Sequence, residues 1–121
     1  RWHARAWCYK RSRFVDFVLA RFVDIGDSRE AEVDGRLDRE WNTAICVILA
    51  PHPELDVPHR KAIELDYGMT DGKIEVPMKL ALYYYFEKHM GLDLETTDPK
   101  RRQVIVINKA EIDALRSGDS N

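Results

Sequence analysis

The sequence predicts an α+β fold in which an N-terminal β-hairpin precedes a β-α-β-α-β sandwich. Three observations support this prediction. Apolar and polar side chains alternate through residues 1–9, an unbroken apolar run of strand length fills Thr43–Ala50, and two helical segments after residue 57 are bounded by proline and glycine. Alternation with a period of two indicates strands, whereas proline and glycine mark where helices begin and end.

The hairpin is expected to consist of strands at Arg1–Tyr9 and Phe14–Ile25, joined by the polar connection Lys10–Arg13. Trp2, Ala4, Ala6 and Cys8 would share one face of the first strand. The second strand has apolar residues on both faces, so both faces need cover. Because an isolated hairpin is marginally stable in water, another part of this chain or a second chain must pack on it.

An acidic, glycine-containing stretch at residues 26–40 separates the hairpin from the sandwich. Its composition indicates a solvated linker, with one loose helical turn at Ser28–Val33 as the alternative. The sequence therefore divides into a hairpin unit at 1–25, a linker at 26–40 and an α+β domain at 41–121.

The α+β domain is expected to contain three strands, at Thr43–Ala50, Lys73–Val76 and Gln103–Asn108. One helix would run over Pro58–Tyr67 with Gly68 as a left-handed cap, and the next would open at Pro77 and close at Gly91. A short helix is expected from Lys109 to Leu115. Right-handed crossovers would place both main helices on one face of the sheet, similar to a ferredoxin-like fold that lacks one strand and has an open edge.

Charge is distributed unevenly along the 121 residues, whose net charge is −2. Residues 1–22 hold six basic residues and one acidic residue, a net of +5, and the remainder holds 13 basic and 20 acidic residues, a net of −7. A basic hairpin on an acidic body favours a local anion site over the coating of long duplex DNA.

Several classes of function lack sequence support. There is no bilayer-spanning apolar run and no signal-like segment, so no membrane association and a cytoplasmic location are expected. Cys8 and Cys46 are expected to be buried free thiols, with a cross-strand disulfide as the alternative. His52 and His59 are too loosely spaced for a zinc pattern, and no cofactor motif is present. Because no serine or cysteine nucleophile is placed beside a base, no enzymatic activity is expected.

The candidate site lies on the hairpin. If His3 and Arg5 share one face of the first strand, they could converge with Arg21 on a single anion, since guanidinium groups bind phosphate in bidentate fashion. Aromatic side chains at residues 7, 14 and 17 could stack on a base. The alternative is that these arginines pair with the acidic body or lie on a solvated surface.

Four consecutive aromatic residues, Tyr83–Phe86, lie in the second predicted helix. Four successive positions point around the whole helix, so some of these rings must cover the sheet while others face elsewhere. The rings left outside the core are expected to form an interface between subunits.

The stretches RWHARAWC and FVDFVLARF, with Arg11 between them, resemble the closing strands of the WYL domain, a ligand-sensing module of bacterial transcriptional regulators. The family triplet Trp-Tyr-Leu falls on Trp2-His3-Ala4, in the Trp-His-hydrophobic-Arg-Ala version that many relatives carry. The family pattern Arg-x-Phe-x-Leu-x-Arg fits Phe17, Leu19 and Arg21. Its first arginine is Val15 here, and Arg11 or Arg13 would have to substitute for it.

The remainder resembles the extension that follows the WYL domain in such regulators. The resemblance rests on EWNTAICVILAPHPEL, on IELDYGMTDG and on the alanine–tyrosine helix that ends in GLD. The nearest subgroup is that of repressors encoded beside phage-defence islands of the BREX and CBASS kinds.

This resemblance implies a set of expectations. The hairpin would complete an SH3/Sm-like WYL barrel, and residues 41–121 would form a dimerisation domain. The chain would be part of a longer homodimeric regulator that binds a nucleic-acid or nucleotide effector through His3, Arg5, Arg11, Arg13 and Arg21. Operator DNA would be read only by an N-terminal helix-turn-helix outside this chain. A purely structural dimerisation module without a ligand is the alternative.

Overall fold

A computed structural model describes residues 1–96 and 98–118, which form a two-stranded hairpin and a three-stranded sheet covered by helices. The strands are β1 (His3–Cys8), β2 (Arg13–Val18), β3 (Ala44–Pro51), β4 (Ile74–Lys79) and β5 (Val104–Val106). The helices are α1 (Arg39–Asn42), α2 (Val57–Tyr67), α3 (Leu80–His89) and α4 (Lys109–Arg116). The predicted α+β class, with a hairpin before a β-α-β-α-β arrangement, is confirmed.

The hairpin is antiparallel, with His3 opposite Val18 at one end and Cys8 opposite Arg13 at the other. The predicted second strand is too long, because the chain turns into a short 3-10 segment at Leu19–Arg21 directly after Val18. The Leu19 amide still donates to the Trp2 carbonyl at 3.0 Å, but the regular strand pairing ends there. The apolar side chains that follow are left in solvent, and Val23 is fully exposed.

The segment between the two sheets is only partly the spacer that its composition indicates. No helix forms at Ser28–Val33, and the first turns appear later, as a 3-10 turn at Gly35–Leu37 and then α1. Asp38, between these turns, caps α1 by accepting a hydrogen bond from the Trp41 amide. It is only 5% exposed, so the end of the linker is packed.

The larger sheet has the order β4-β3-β5, which confirms that the apolar run is its central strand. Both neighbours of β3 are antiparallel, so the crossover rule for parallel strands does not apply. The prediction that Pro77 opens a helix is wrong, because Pro77 lies within β4 opposite Cys46 and α3 begins at Leu80. Proline is tolerated on an edge strand, where its missing N–H breaks no ladder bond.

The core lies on one face of this sheet, as expected. Alternate β3 residues point into it, and α2, α3 and α4 each contribute buried side chains. Its central members are Ile45, Val47, Leu49, Ile63, Tyr83 and Ile112. Gly68 ends α2 in the left-handed region with φ of 64°, as predicted, and this region favours glycine because it lacks a Cβ atom.

The four consecutive aromatic side chains of α3 point in different directions, as the geometry of a helix requires. Tyr83 is fully buried and Phe86 packs against the core, whereas Tyr84 is exposed and Tyr85 faces the hairpin. Both cysteines are free thiols, but neither is buried as predicted: Cys8 is half-buried and Cys46 is exposed on the outer face of the sheet.

Candidate functional site

The hairpin is held against the rest of the molecule by Arg5. Its Nη2 donates to Asp38 Oδ1 at 2.9 Å and its Nε donates to Asp38 Oδ2 at 2.5 Å, a bidentate ion pair between the hairpin and the cap of α1. The same guanidinium lies 3.4 Å from Asp16 and 3.6 Å from Glu40. Three carboxylates therefore surround one cation.

The protonation states at this pair follow from its hydrogen bonds. The bonds to Asp38 raise the pKa of Arg5 above its already high ordinary value. Burial alone would raise the pKa of Asp38, but hydrogen bonds from Arg5 and from the Trp41 amide outweigh it, and the pKa of Asp38 is lowered. Both groups are thus charged at neutral pH.

A second contact ties the hairpin to α3. The Tyr85 hydroxyl donates to Asp16 Oδ2 at 2.9 Å, and the Tyr85 ring lies 4.7 Å from the His3 ring, centroid to centroid. Burial, together with the bond to Asp16, raises the pKa of Tyr85 to about 12. His3, Arg5 and Asp16 therefore face α3 and the linker.

These contacts change the interpretation of two predicted ligand-binding residues. Arg5 is already paired with carboxylates, and His3 packs on Tyr85 beside a depression that Trp41 and Leu82 help to line. Arg21 lies elsewhere, in a groove on the opposite side of the hairpin. The convergence of His3, Arg5 and Arg21 on one anion, expected from the sequence, is not what the structure contains.

Arg11 and Arg13 lie at the turn end of the hairpin and border a groove of about 690 Å³ between the hairpin and α3. Phe14 and Tyr84 also line it, as do two carboxylates that lie near Arg5, those of Asp16 and Glu40. Within the described residues, no carboxylate lies within ion-pair distance of Arg11 or Arg13. Two unneutralised cations beside two aromatic rings are suited to an anion that carries a planar group.

Arg21 borders a second groove, of about 420 Å³, on the other hairpin face. Lys10 and Arg11 share this groove with apolar side chains such as Val15 and Phe17. Arg11 therefore contributes to both grooves. Three of the six basic residues of the hairpin segment therefore lie at its turn end, namely Lys10, Arg11 and Arg13.

The sequence reasoning missed the partners that hold the hairpin, namely Asp38, Asp16 and Tyr85. An N-cap signal was available for Asp38, since an aspartate three residues before Trp41 can accept its amide hydrogen. Its pairing with Arg5, 33 positions away, depends on the tertiary fold and leaves no local pattern.

Among residues 1–96 and 98–118, no group of three or more His, Cys, Asp or Glu side chains is placed to hold a metal ion. No helix in this part of the molecule has the length and apolar character needed to cross a membrane.

Comparison with known proteins identifies relatives over most of the chain. Residues 44–112 match the family described as "BrxR transcriptional regulator, C-terminal dimerization domain". A protein of Stenotrophomonas maltophilia named "DNA-binding transcriptional repressor CapW" is 39% identical over 113 residues, which are 92% of this chain and 38% of that protein. Proteins of the same name from Escherichia coli (strain KTE188) and Pseudomonas aeruginosa are 39% and 37% identical, over 95% of this chain and 39% of each relative.

The chain therefore spans between 38% and 39% of the length of these curated relatives. The matched family segment begins at the first residue of β3 and ends within α4, so it coincides with the three-stranded sheet and its helices. The hairpin precedes it. These matches confirm the family resemblance found in the sequence.

Proposed function

Because the chain belongs to the BrxR transcriptional regulator family and carries its C-terminal dimerization domain, we propose that it is the dimerisation and effector-sensing region of a DNA-binding transcriptional repressor. The relatives are named DNA-binding transcriptional repressors. In this proposal the sheet domain joins two subunits, the hairpin binds the effector, and a DNA-reading module outside this chain contacts the operator. The role is not enzymatic.

The groove at the turn end of the hairpin carries the sensing part of the proposal. Arg11 and Arg13 are exposed and unpaired within the described chain, and Tyr84 is 48% exposed beside them. A phosphate would accept hydrogen bonds from the guanidinium groups, and a base would stack on an aromatic ring. The effector class that fits is a nucleotide or a single-stranded nucleic acid.

The coupling part of the proposal rests on the contacts beneath this groove. Tyr84 borders the groove, whereas Tyr85 bonds the hairpin and Tyr83 is fully buried in the core of the sheet domain. One helix therefore connects the effector surface, the hairpin and the dimerisation domain. An effector would shift the dimer between operator-binding and released states only if it binds the two states with different affinity.

Binding of a fluorescein-labelled single-stranded DNA to the chain tests the sensing role. The Arg11→Ala/Arg13→Ala double variant is expected to bind at least about tenfold more weakly, since each lost charge-assisted bond contributes roughly 1.5–3 kcal/mol. Arg29→Ala is the matched control, because Arg29 is an exposed linker arginine far from the groove in sequence. Equal affinity for the double variant and the wild type would reject the groove as the effector site.

A dimerisation module without a ligand is the second candidate. The pairing of Arg5 with three carboxylates favours it, because this interaction gives the basic hairpin a structural use. The two candidates differ in one outcome. If the chain dimerises but binds neither labelled DNA nor nucleotide at any salt concentration, only the structural role remains.

A further inference from the structure

The outer face of the three-stranded sheet is apolar and uncovered. It is the face opposite the core, and exposed or half-buried side chains of all three strands form it. They are Ala44, Cys46, Ile48, Ala50, Pro77 and Ile105, with Ile107 beyond the last strand. Cys46 and Pro77 are exposed, and Ile107 is 54% exposed, so the described part of the chain leaves this face open.

The sequence of β3 is that of a strand covered on both sides. An antiparallel strand with one solvated face alternates apolar and polar residues, but AICVILAP is apolar at every position. Only one of its faces is buried within the chain, through Ile45, Val47 and Leu49. The missing alternation therefore points to a cover supplied from outside the chain.

Charge on the edge strand identifies that cover as a second copy of this chain. Glu75 and Lys79 lie on the outer face of β4, on either side of Pro77. A two-fold axis that runs across the strands at Pro77 would place Glu75 of each copy opposite Lys79 of the partner subunit. A closed homodimer needs a self-complementary surface of this kind, apolar at its centre and oppositely charged at its ends.

The Lys79 ammonium also has a contact within its own chain. It donates to the Trp41 carbonyl at 3.1 Å and lies 4.6 Å from the centre of the Trp41 ring, so it is held at one end of β4. Two of its three N–H donors stay available. The competing surface, the exposed side of α2, is less suited, since Val57 and Leu65 there are separated by charged residues.

We infer that two copies of the chain dimerise by packing the outer faces of their sheets, with Cys46 near the two-fold axis and paired Glu75–Lys79 contacts at the rim. This inference rests on the proposed dimerisation function and names the surface that performs it. Two sheets packed face to face lie about 10 Å apart, which brings the apolar side chains of both faces into contact.

A charge-swap experiment tests this surface, with the dimer dissociation constant measured by sedimentation equilibrium. Glu75→Lys and Lys79→Glu are each expected to weaken the dimer at least about tenfold, because each creates two like-charge contacts. The Glu75→Lys/Lys79→Glu double variant is expected to recover most of the affinity, since the opposed pairs are restored. Both positions lie outside the core, but Lys79→Glu also removes the contact with Trp41, so the circular dichroism spectrum of each variant must first match that of the wild type. Glu54→Lys, at an exposed position, is the control for net charge.

The outcomes separate the two levels of the proposal. A wild-type chain that is monomeric at all concentrations overturns the dimerisation function and the surface together. A dimer that both single charge variants leave intact, or that Leu65→Glu dissociates instead, overturns the surface alone. In a Cys8→Ser background, alkylation of Cys46 should slow as the dimer forms, and a rate independent of concentration would also overturn the surface.

Discussion

Arg5 and Asp38 form a two-point ion pair, 2.5 and 2.9 Å between heavy atoms, that joins a strand of the hairpin to the cap of α1. Asp38 is 5% exposed and has little access to water as an alternative partner. Removal of either side chain leaves the other without its main partner, and the consequences can be measured.

Arg5→Ala is expected to lower the free energy of unfolding by about 2–4 kcal/mol, because the buried Asp38 carboxylate then lacks its counter-charge. Urea denaturation of Arg5→Ala, Asp38→Ala and the double variant gives a cycle whose coupling energy should exceed about 1 kcal/mol. Arg11→Ala, an exposed arginine on the same hairpin, should change stability by less than about 0.5 kcal/mol. Additive single effects would contradict a direct ion pair.

The coupling energy between Arg5 and Asp38 should fall at acid pH. The folded-state pKa of Asp38 lies below its usual value of about 3.9, so the carboxylate contributes stability that is fully present above about pH 4. That stability is lost as the pH falls through the folded-state pKa. We expect equal coupling at about pH 7 and pH 5 and a much smaller value near pH 2, and a constant value would contradict the assignment.

Tyr85 should ionise at a higher pH than an ordinary tyrosine. Its pKa of about 12 in the folded chain exceeds the ordinary value of about 10, so the stability that it contributes is present below pH 10 and is lost as the pH rises through about 12. Difference absorbance between the wild type and Tyr85→Phe should contain one phenol with this raised pKa. A difference curve with its midpoint near 10 would show that the bond to Asp16 is absent.

Asn108 replaces a missing strand residue beside β3. Its side-chain oxygen accepts from the Ile48 amide at 3.0 Å and its nitrogen donates to the Cys46 carbonyl at 2.7 Å. Asn108→Ala should therefore destabilise the chain by about 1–2 kcal/mol and increase hydrogen exchange at the Ile48 amide. In Asn108→Asp the oxygen acceptor persists, so Ile48 should stay protected, and equal exchange in both variants would contradict this role.

The parts of the fold that follow from local rules were predictable. The central strand and α2 are within one residue of their predicted starts, because a continuous apolar run and a Pro–Gly pair mark them. The error at Pro77 arose because proline suits both a helix start and an edge strand, and only the pairing with Cys46 decides between them. The second hairpin strand was predicted to be too long, because apolar residues continue along the chain past Val18, where the pairing with β1 ends.

The candidate site was predictable in composition but not in arrangement. The positive charge of the hairpin is plain in the sequence. The carboxylates that neutralise Arg5 come from three separate places, namely Asp16 of β2, Asp38 of the linker and Glu40 of α1. Pairing across such separations depends on the fold. The ligand-binding role of Arg11, Arg13 and Arg21 stays a prediction.

Size-exclusion chromatography with light scattering of the wild-type chain tests the central claim, that this region joins two subunits. The claim predicts a particle with the mass of two copies of the 14.1 kDa chain, which dissociates to monomer only on dilution. A particle of 14.1 kDa at every concentration would contradict it.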